Sequence, residues 1–167
     1  MSRAQEGLEL YQRIRAYQRQ ADTCGLEYQA NPRGLGHQAD PRGLGYAVVD
    51  LETTGLEPQD EAIIEVGVVL LDPRGREQLR WDSLVNPHRH PGPTHIHGIT
   101  PDDLTDAPEL GTLAPALVEL LRGRVLVAHN IRFDASFLLP ALRLELGAAA
   151  LPRKIPQVCT MNWARSF

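Results

Sequence analysis

The pattern of the chain changes at Tyr46. Before it, over residues 5–21, Leu10, Ile14, Tyr17 and Ala21 recur at helical spacing while Gln and Arg fill the opposite face. That spacing predicts an amphipathic helix able to pack on the rest of the chain or on a partner. A tandem duplication follows, Gln29 to His37 and then Gln38 to Tyr46, its copies differing only at Asn31/Asp40 and His37/Tyr46. The Pro and Gly of each copy favour turns over a packed element, and two copies are too few for a solenoid. Residues 1–45 are therefore expected to form a helix and a linker, and residues 46–167 one domain.

From Tyr46 the alternation becomes regular. Tyr46–Leu51 and the Ile/Val-rich Ala62–Leu71 read as strands, and the turn chemistry of Asp72-Pro73-Arg74-Gly75 returns the chain antiparallel as Glu77–Val85. A proline- and histidine-rich loop runs from Pro87 to Gly98. Thr100-Pro101-Asp102-Asp103 has the signature of a helix start, with a threonine cap, proline at the first position and an acid where a capping box places one. Leu110, Leu113, Leu117 and Leu121 continue at helical spacing, with Pro115 expected to kink or delay that helix and Gly123 to end it. Val125–Ala128 is a short apolar run of the kind found in central strands. Asn130 is expected to cap a helix that turns Phe133, Phe137, Leu138 and Leu142 inward, and Gln157–Thr160 reads as a fifth strand. Three strands in a meander, then strands separated by helices, predict an α/β fold with a mixed five-stranded sheet flanked by helices.

Composition narrows the function classes. With 167 residues and 43% hydrophobic content, the chain can build one core. A net charge of −4 argues against a bulk basic nucleic-acid binder, so phosphate contacts would be local or bridged by metal. Cys24 and Cys159 form no CxxC pattern, which points away from a zinc module or a disulfide scaffold and toward a reducing, cytoplasmic setting. No signal-type apolar core and no run of transmembrane length are present, so a soluble protein without membrane association is expected.

The candidate chemistry lies at the end of the first strand, in Ala47-Val48-Val49-Asp50-Leu51-Glu52-Thr53-Thr54-Gly55. Alternation puts Asp50 and Glu52 on one face and Leu51 on the other. Two like charges side by side on an apolar strand call for a cation between them, and oxygen ligands suit magnesium or manganese. A third acid, Asp134, falls in the first turn of the helix that follows the run Val125–Ala128. If those two strands are neighbours, Asp50, Glu52 and Asp134 converge where strand ends meet helix starts.

On Val49-Asp50-Leu51-Glu52-Thr53-Thr54-Gly55 and His129-Asn130-Ile131-Arg132-Phe133-Asp134, with Ile63-Ile64-Glu65-Val66-Gly67 and Ile96-His97-Gly98-Ile99-Thr100 between them, the chain resembles the DEDD-type 3′–5′ exonucleases. The branch it is most similar to, with a histidine base, includes the proofreading subunits of bacterial replicative polymerases. The resemblance covers Tyr46 to Arg165. It implies a ribonuclease-H-like fold, two Mg2+ or Mn2+ ions held by Asp50, Glu52 and Asp134 as catalytic ligands, and removal of nucleotides from 3′ ends. It also implies substrate contacts from Leu51, Thr53, Thr54, Gly55, His97, Asn130 and Phe133, with the main chain around Thr53 and Thr54 holding the terminal nucleotide. Leu56 and Phe133 could pack on its base or sugar or belong to the core. Single-stranded or frayed DNA ends are the implied substrate, with RNA left open, and a DNA polymerase subunit is the implied partner.

The family's third motif, with its fourth carboxylate and histidine base, has no counterpart. After Asp134 the sequence has no histidine, and its only acid is Glu145. The sequence therefore predicts that the C-terminal helices are missing and that this polypeptide is a weak or inactive exonuclease, since a positioned base contributes about 10²–10⁴-fold. His88, His90 and His95 are expected to be exposed, and His129 to orient backbone. The alternative is a non-catalytic module of the same fold that binds nucleic-acid ends or a polymerase.

Overall fold

A computed structural model describes residue 43 and residues 45–165 of the chain. The predicted helix over residues 5–21 and nearly all of the duplicated segment lie outside the described residues.

Five strands form one sheet: β1 (Tyr46–Thr53), β2 (Ile63–Leu71), β3 (Glu77–Leu84), β4 (Val125–Ala128) and β5 (Gln157–Cys159), in the order β3-β2-β1-β4-β5. β1, β2 and β3 run antiparallel, and β4 and β5 add in parallel on the other side of β1. The β2–β3 turn closes around Asp72. Its carboxylate accepts from the Arg74 and Arg76 backbone N–H groups at 2.8 and 2.9 Å and from the Arg76 guanidinium at 2.7 Å, and Gly75 takes the left-handed φ of 80° that the turn needs.

One face of the sheet is the core. Ala47, Val49 and Leu51 of β1 and Val66, Val68 and Leu70 of β2 lie beneath two helices, α3 (Leu110–Leu121) and α4 (Ile131–Leu146). Leu113, Leu117 and Leu120 of α3 and Phe137, Leu138 and Leu142 of α4 meet them, each leucine contributing about 1.5–3 kcal/mol by burial. Pro115 and Pro140 sit on the exposed sides of these helices, so both helices continue past them. The single helix expected from Thr100 onward is in fact two. α2 (Pro101–Leu104) has the predicted capping box, with Thr100 and Asp103 bonding each other's backbone N–H groups, but it stops after one turn. Pro108 disfavours helix at Ala107, and its carbonyl accepts from Asn86 at 2.9 Å instead. Leu104 and Ala107 bury with Ile64 and Ile99 in a second, smaller cluster.

Other expectations shift by a residue or two. β1 runs on to Thr53, and the chain after β5 turns at once into α5 (Thr160–Ala164). The loop from Pro87 to Gly98 contains a helical turn, α1 (Thr94–His97), ended by Gly98 at φ 77°. Asn130 holds the N-cap position of α4 but makes no side-chain cap bond. The first turn is closed by the Asn130 carbonyl, which accepts from Phe133 at 2.8 Å and Asp134 at 3.3 Å.

Candidate active site

The face of β1 away from the helices carries the acids. Leu51 is 6% exposed and packs in the core, whereas Asp50 is exposed and Glu52 half-buried on the other side. Pairing in register places Glu65 directly across from Glu52, and Gly67 across from Asp50 with Asp82 beyond it on β3. Because the position between Asp50 and Asp82 is glycine, no side chain separates those two carboxylates. A bulge after Glu52 then pairs Thr53 with Ile63 and leaves Ile64 to fill the second cluster.

β4 is the parallel neighbour of β1, as the convergence of the acids requires. Its ladder with β1 ends at Val48–Val127; β1 continues to Asp50 while β4 passes through His129 into α4. That divergence brings Asp134 to Asp50. Asp134 is 5% exposed, and its carboxyl is pushed up to about 6, first by burial and then by the Asp50 charge, against the pull of its own and the Leu51 backbone N–H groups. Glu65 is also raised, by burial and then by Glu52, Asp82 and Asp50, with His97 opposing. Both shifts come first from burial and only then from neighbouring carboxylates, so negative charge here is costly and poorly offset. The donor chemistry fits a hard divalent cation, and neither Asp50 nor Glu52 is walled in. Among the described residues, however, no three His, Cys, Asp or Glu side chains already stand as a metal-holding group. Asp50 and Asp134 are within electrostatic reach of each other, and Glu52 shares the face of Asp50 without completing a shell.

The turn after β1 is tightly built. Thr54 donates its N–H to the Ala62 carbonyl at 2.9 Å, its hydroxyl to the Glu61 carboxylate, and accepts from the Ala62 N–H at 3.0 Å. The Thr54 N–H is thus engaged within the protein. Thr53 folds its hydroxyl onto the Gly55 carbonyl at 2.6 Å. Two glycines are needed for close approach: a Cβ on Gly55 would meet the Glu61 side chain at 2.8 Å, and one on Gly92, at φ 88°, would meet the Thr54 carbonyl oxygen at 2.1 Å. Arg89 clamps the same strap, bonding the Asp60 carbonyl at 2.5 Å and Glu61 at 3.5 Å.

The remaining sequence-derived candidates fall in different settings. His97 is half-buried on the acidic side; its Nδ1 accepts from the Ile99 N–H at 3.0 Å, which assigns the ring proton to Nε2. Asn130 is exposed at the mouth between β4 and α4. Phe133 is half-buried and meets Phe137 at 5.0 Å between ring centres, so its packing leans to the core. Leu56 is exposed. His88, His90 and His95 are exposed, and His88 pairs with Glu109 at 2.8 Å. The His129 carbonyl accepts from Met161, which ties the start of α5 to the site. Sequence reading did not single out Glu65 or Asp82. Alternation along β2 and the register of the hairpin are the signals that place both acids beside Asp50 and Glu52.

Comparison with known proteins gives these residues a context. The family model described as Exonuclease, of the RNase T type, matches residues 47–167. The chain is 41% identical over 96 residues to a DNA polymerase III PolC-type of Bacillus cereus, covering 56% of this chain and 7% of that protein. It is 37% identical over 101 residues to the DNA polymerase III subunit epsilon of Treponema pallidum, covering 59% of this chain and 46% of that one. It thus spans less than half the length of either relative. Among solved structures, apo exonuclease I superposes with a TM-score of 0.64 at 16% identity, over 72% of this chain and 30% of that chain. That likeness bears out the ribonuclease-H-like α/β fold. No helix among the described residues is long and apolar enough to cross a membrane.

Proposed function

Because the chain belongs to the RNase T exonuclease family, with DNA polymerase III epsilon and PolC among its relatives, we propose that residues 46–167 carry the metal-holding part of a DEDD-type 3′–5′ exonuclease. Its substrate is the 3′ end of single-stranded or frayed DNA, the class suggested by the polymerase and exonuclease I relatives, and a polymerase subunit is its natural partner. Asp50, Glu52 and Asp134 are the residues that would hold Mg2+ or Mn2+. The observation that carries this reading is the meeting of Asp50 and Asp134, from two different elements, at the divergence of β1 and β4.

Bound there, a pair of divalent ions supplies an acidified water and charge stabilisation at the leaving oxygen. The chain's own residues set the stage for that chemistry. Asp134 is held rigidly by burial in the first turn of α4, while exposed Asp50 can turn toward either neighbour. Glu65 and Asp82 extend the negative field around Asp50 and Glu52, which favours a cation over an anionic phosphate at these residues. Half-buried His97 borders the acidic face, where it can orient the terminal nucleotide, and the Thr53–Gly55 turn fixes the exit of β1.

Proton transfer is where these 167 residues fall short. No histidine follows His129 and Glu145 is the only acid after Asp134 in these residues, so they hold no counterpart of the base of this family branch, and weak or no digestion by this polypeptide is the expected outcome. The test is titration calorimetry with Mn2+ alongside digestion of a 3′-labelled single strand, DNA and RNA in separate arms. Mn2+ binding that Asp50→Ala abolishes, with slow 3′-end release, is expected. Absence of Mn2+ binding would sink the ligand assignment, and rapid digestion untouched by Asp50→Ala would sink the site.

A further inference from the structure

β3 is an edge of the sheet: among the described residues it pairs with β2 and with no other strand. An edge strand presents a row of N–H and C=O groups to any extended chain, and the charged side chains along it decide which chain can add. The direction of those groups follows from the ladder. The Val85 N–H donates to the Ile64 carbonyl at 2.8 Å, at the end of a register that sets Leu84 opposite Glu65 and Trp81 opposite Val68. Hydrogen-bonded pairs alternate in an antiparallel ladder, so the backbone groups of Leu79, Trp81 and Ser83 turn toward β2 and those of Arg80 and Asp82 turn outward. The Arg80 and Asp82 side chains are exposed, whereas Leu79 and Trp81 are half-buried against the core.

This edge is complementary to itself. Two copies of β3 related by a two-fold axis can pair antiparallel with their outward-turning residues opposite one another. With the axis at Trp81, Arg80 faces Asp82 of the partner subunit and Asp82 faces the partner's Arg80, as an isologous contact requires. Shifting the axis by one residue to either side would set Arg80 opposite Arg80 or Asp82 opposite Asp82, and like charges directly opposite are destabilising. The Trp81 register puts both charge pairs at hydrogen-bonded positions, where each exchanges two backbone bonds. It puts the two indoles at a non-hydrogen-bonded position, where the strands come within about 4.5 Å between Cα atoms and aromatic pairs pack best. Within one chain Arg80 bonds Glu77 through Nε and Nη2, which leaves Nη1 to donate across the edge. That pair is exposed on both sides and so holds Arg80 only weakly.

We infer that β3 is a dimer edge, at which two copies of this chain join by antiparallel pairing centred on Trp81. The two sheets become one, with both acidic faces on the same side. The partner's Arg80 then stands opposite Asp82, at the end of the row Asp50, Gly67 and Asp82, and brings a guanidinium to the border of the acidic cluster. The inference is independent of the nuclease reading.

The test is sedimentation equilibrium of the full chain, whose single-copy mass is 18.5 kDa. The unmodified chain is expected at twice that mass. Arg80→Glu and Asp82→Arg each set like charges opposite one another and are each expected at the single-copy mass, while an equimolar mixture of the two variants restores opposite charges at both positions and returns to the doubled mass. A chain that stays single at its highest soluble concentration would overturn the inference, as would doubled mass persisting in both variants or a mixture that stays single. A further variant is independent of how the charge variants fold. Trp81→Cys, in a chain with Cys24 and Cys159 replaced by serine, is expected to form a disulfide between copies on oxidation, since the Cα separation at that position falls within disulfide range. Failure to cross-link there would overturn the register.

Discussion

The two faces of β1 are built to opposite rules. On one, Ala47, Val49 and Leu51 disappear under α3 and α4; on the other, Asp50 and Glu52 face Glu65 and Asp82 across the hairpin. The first face gains free energy from every side chain it buries. The second loses it, because burial and mutual repulsion raise the carboxyls of Asp134 and Glu65. A strand that alternates every residue can hold both without compromise, so the stability of this fold is stored on one side and its chemistry is held at a cost on the other.

That contrast can be broken at measurable points. The largest effect is expected at the core: Leu138→Ala, at a side chain with no solvent exposure, should lower the unfolding free energy by about 2–5 kcal/mol in a urea titration. The acidic side should respond with the opposite sign. Asp134→Asn should stabilise the domain at pH 8 in EDTA, by at most about 3 kcal/mol, the size of a shift from 3.8 to about 6. The same variant should lose the rise in Tm that Mn2+ gives the unmodified chain.

The pH dependence sharpens the comparison. Because the Asp134 carboxyl is raised on folding, its contribution is fully present below about pH 3.8 and is lost as pH rises through about 6. Asp72 and Asp103 are lowered, the first chiefly by the Arg76 backbone N–H and the second by the Thr100 hydroxyl, so their contributions are lost as pH falls. Thermal melts between pH 4 and pH 7 should therefore show the unmodified chain losing stability relative to Asp134→Asn as pH rises. Parallel curves for the two chains would remove the account of a desolvated Asp134. The smallest effect is expected at a surface cap outside the acidic cluster, where Thr100→Ala removes the cap of α2 and should cost about 1 kcal/mol in the same titration.

How much of this was legible depends on the range of the physics involved. Alternation and turn chemistry are local, so the five strands, the Asp72 turn and the Thr100 capping box are visible in the residues themselves. The opposition of Asp50 and Glu52 to Leu51 needs only the period of a strand. The break of the helix at residues 105–109 is half legible, since Pro108 disfavours helix at Ala107, but leucine spacing does not register that the Pro108 carbonyl accepts from Asn86, a contact between segments far apart in sequence. The same holds for Asn130, an apparent cap by residue type that makes no cap bond in the structure.

The sequence by itself determined the elements, the face on which each acid of β1 lies and, through its motifs, the family, because periodicity and residue chemistry are properties of short stretches. Only the tertiary structure decided that Asp134 comes to Asp50, since that follows from β4 lying beside β1 and parting from it after Val127. It alone placed Glu65 and Asp82 in the same field through register, and engaged the Thr54 N–H with Ala62. It also left three carboxylates near one another without closing them into a metal shell. Their mutual repulsion and the burial of one of them favour such an arrangement until a cation offsets the charge.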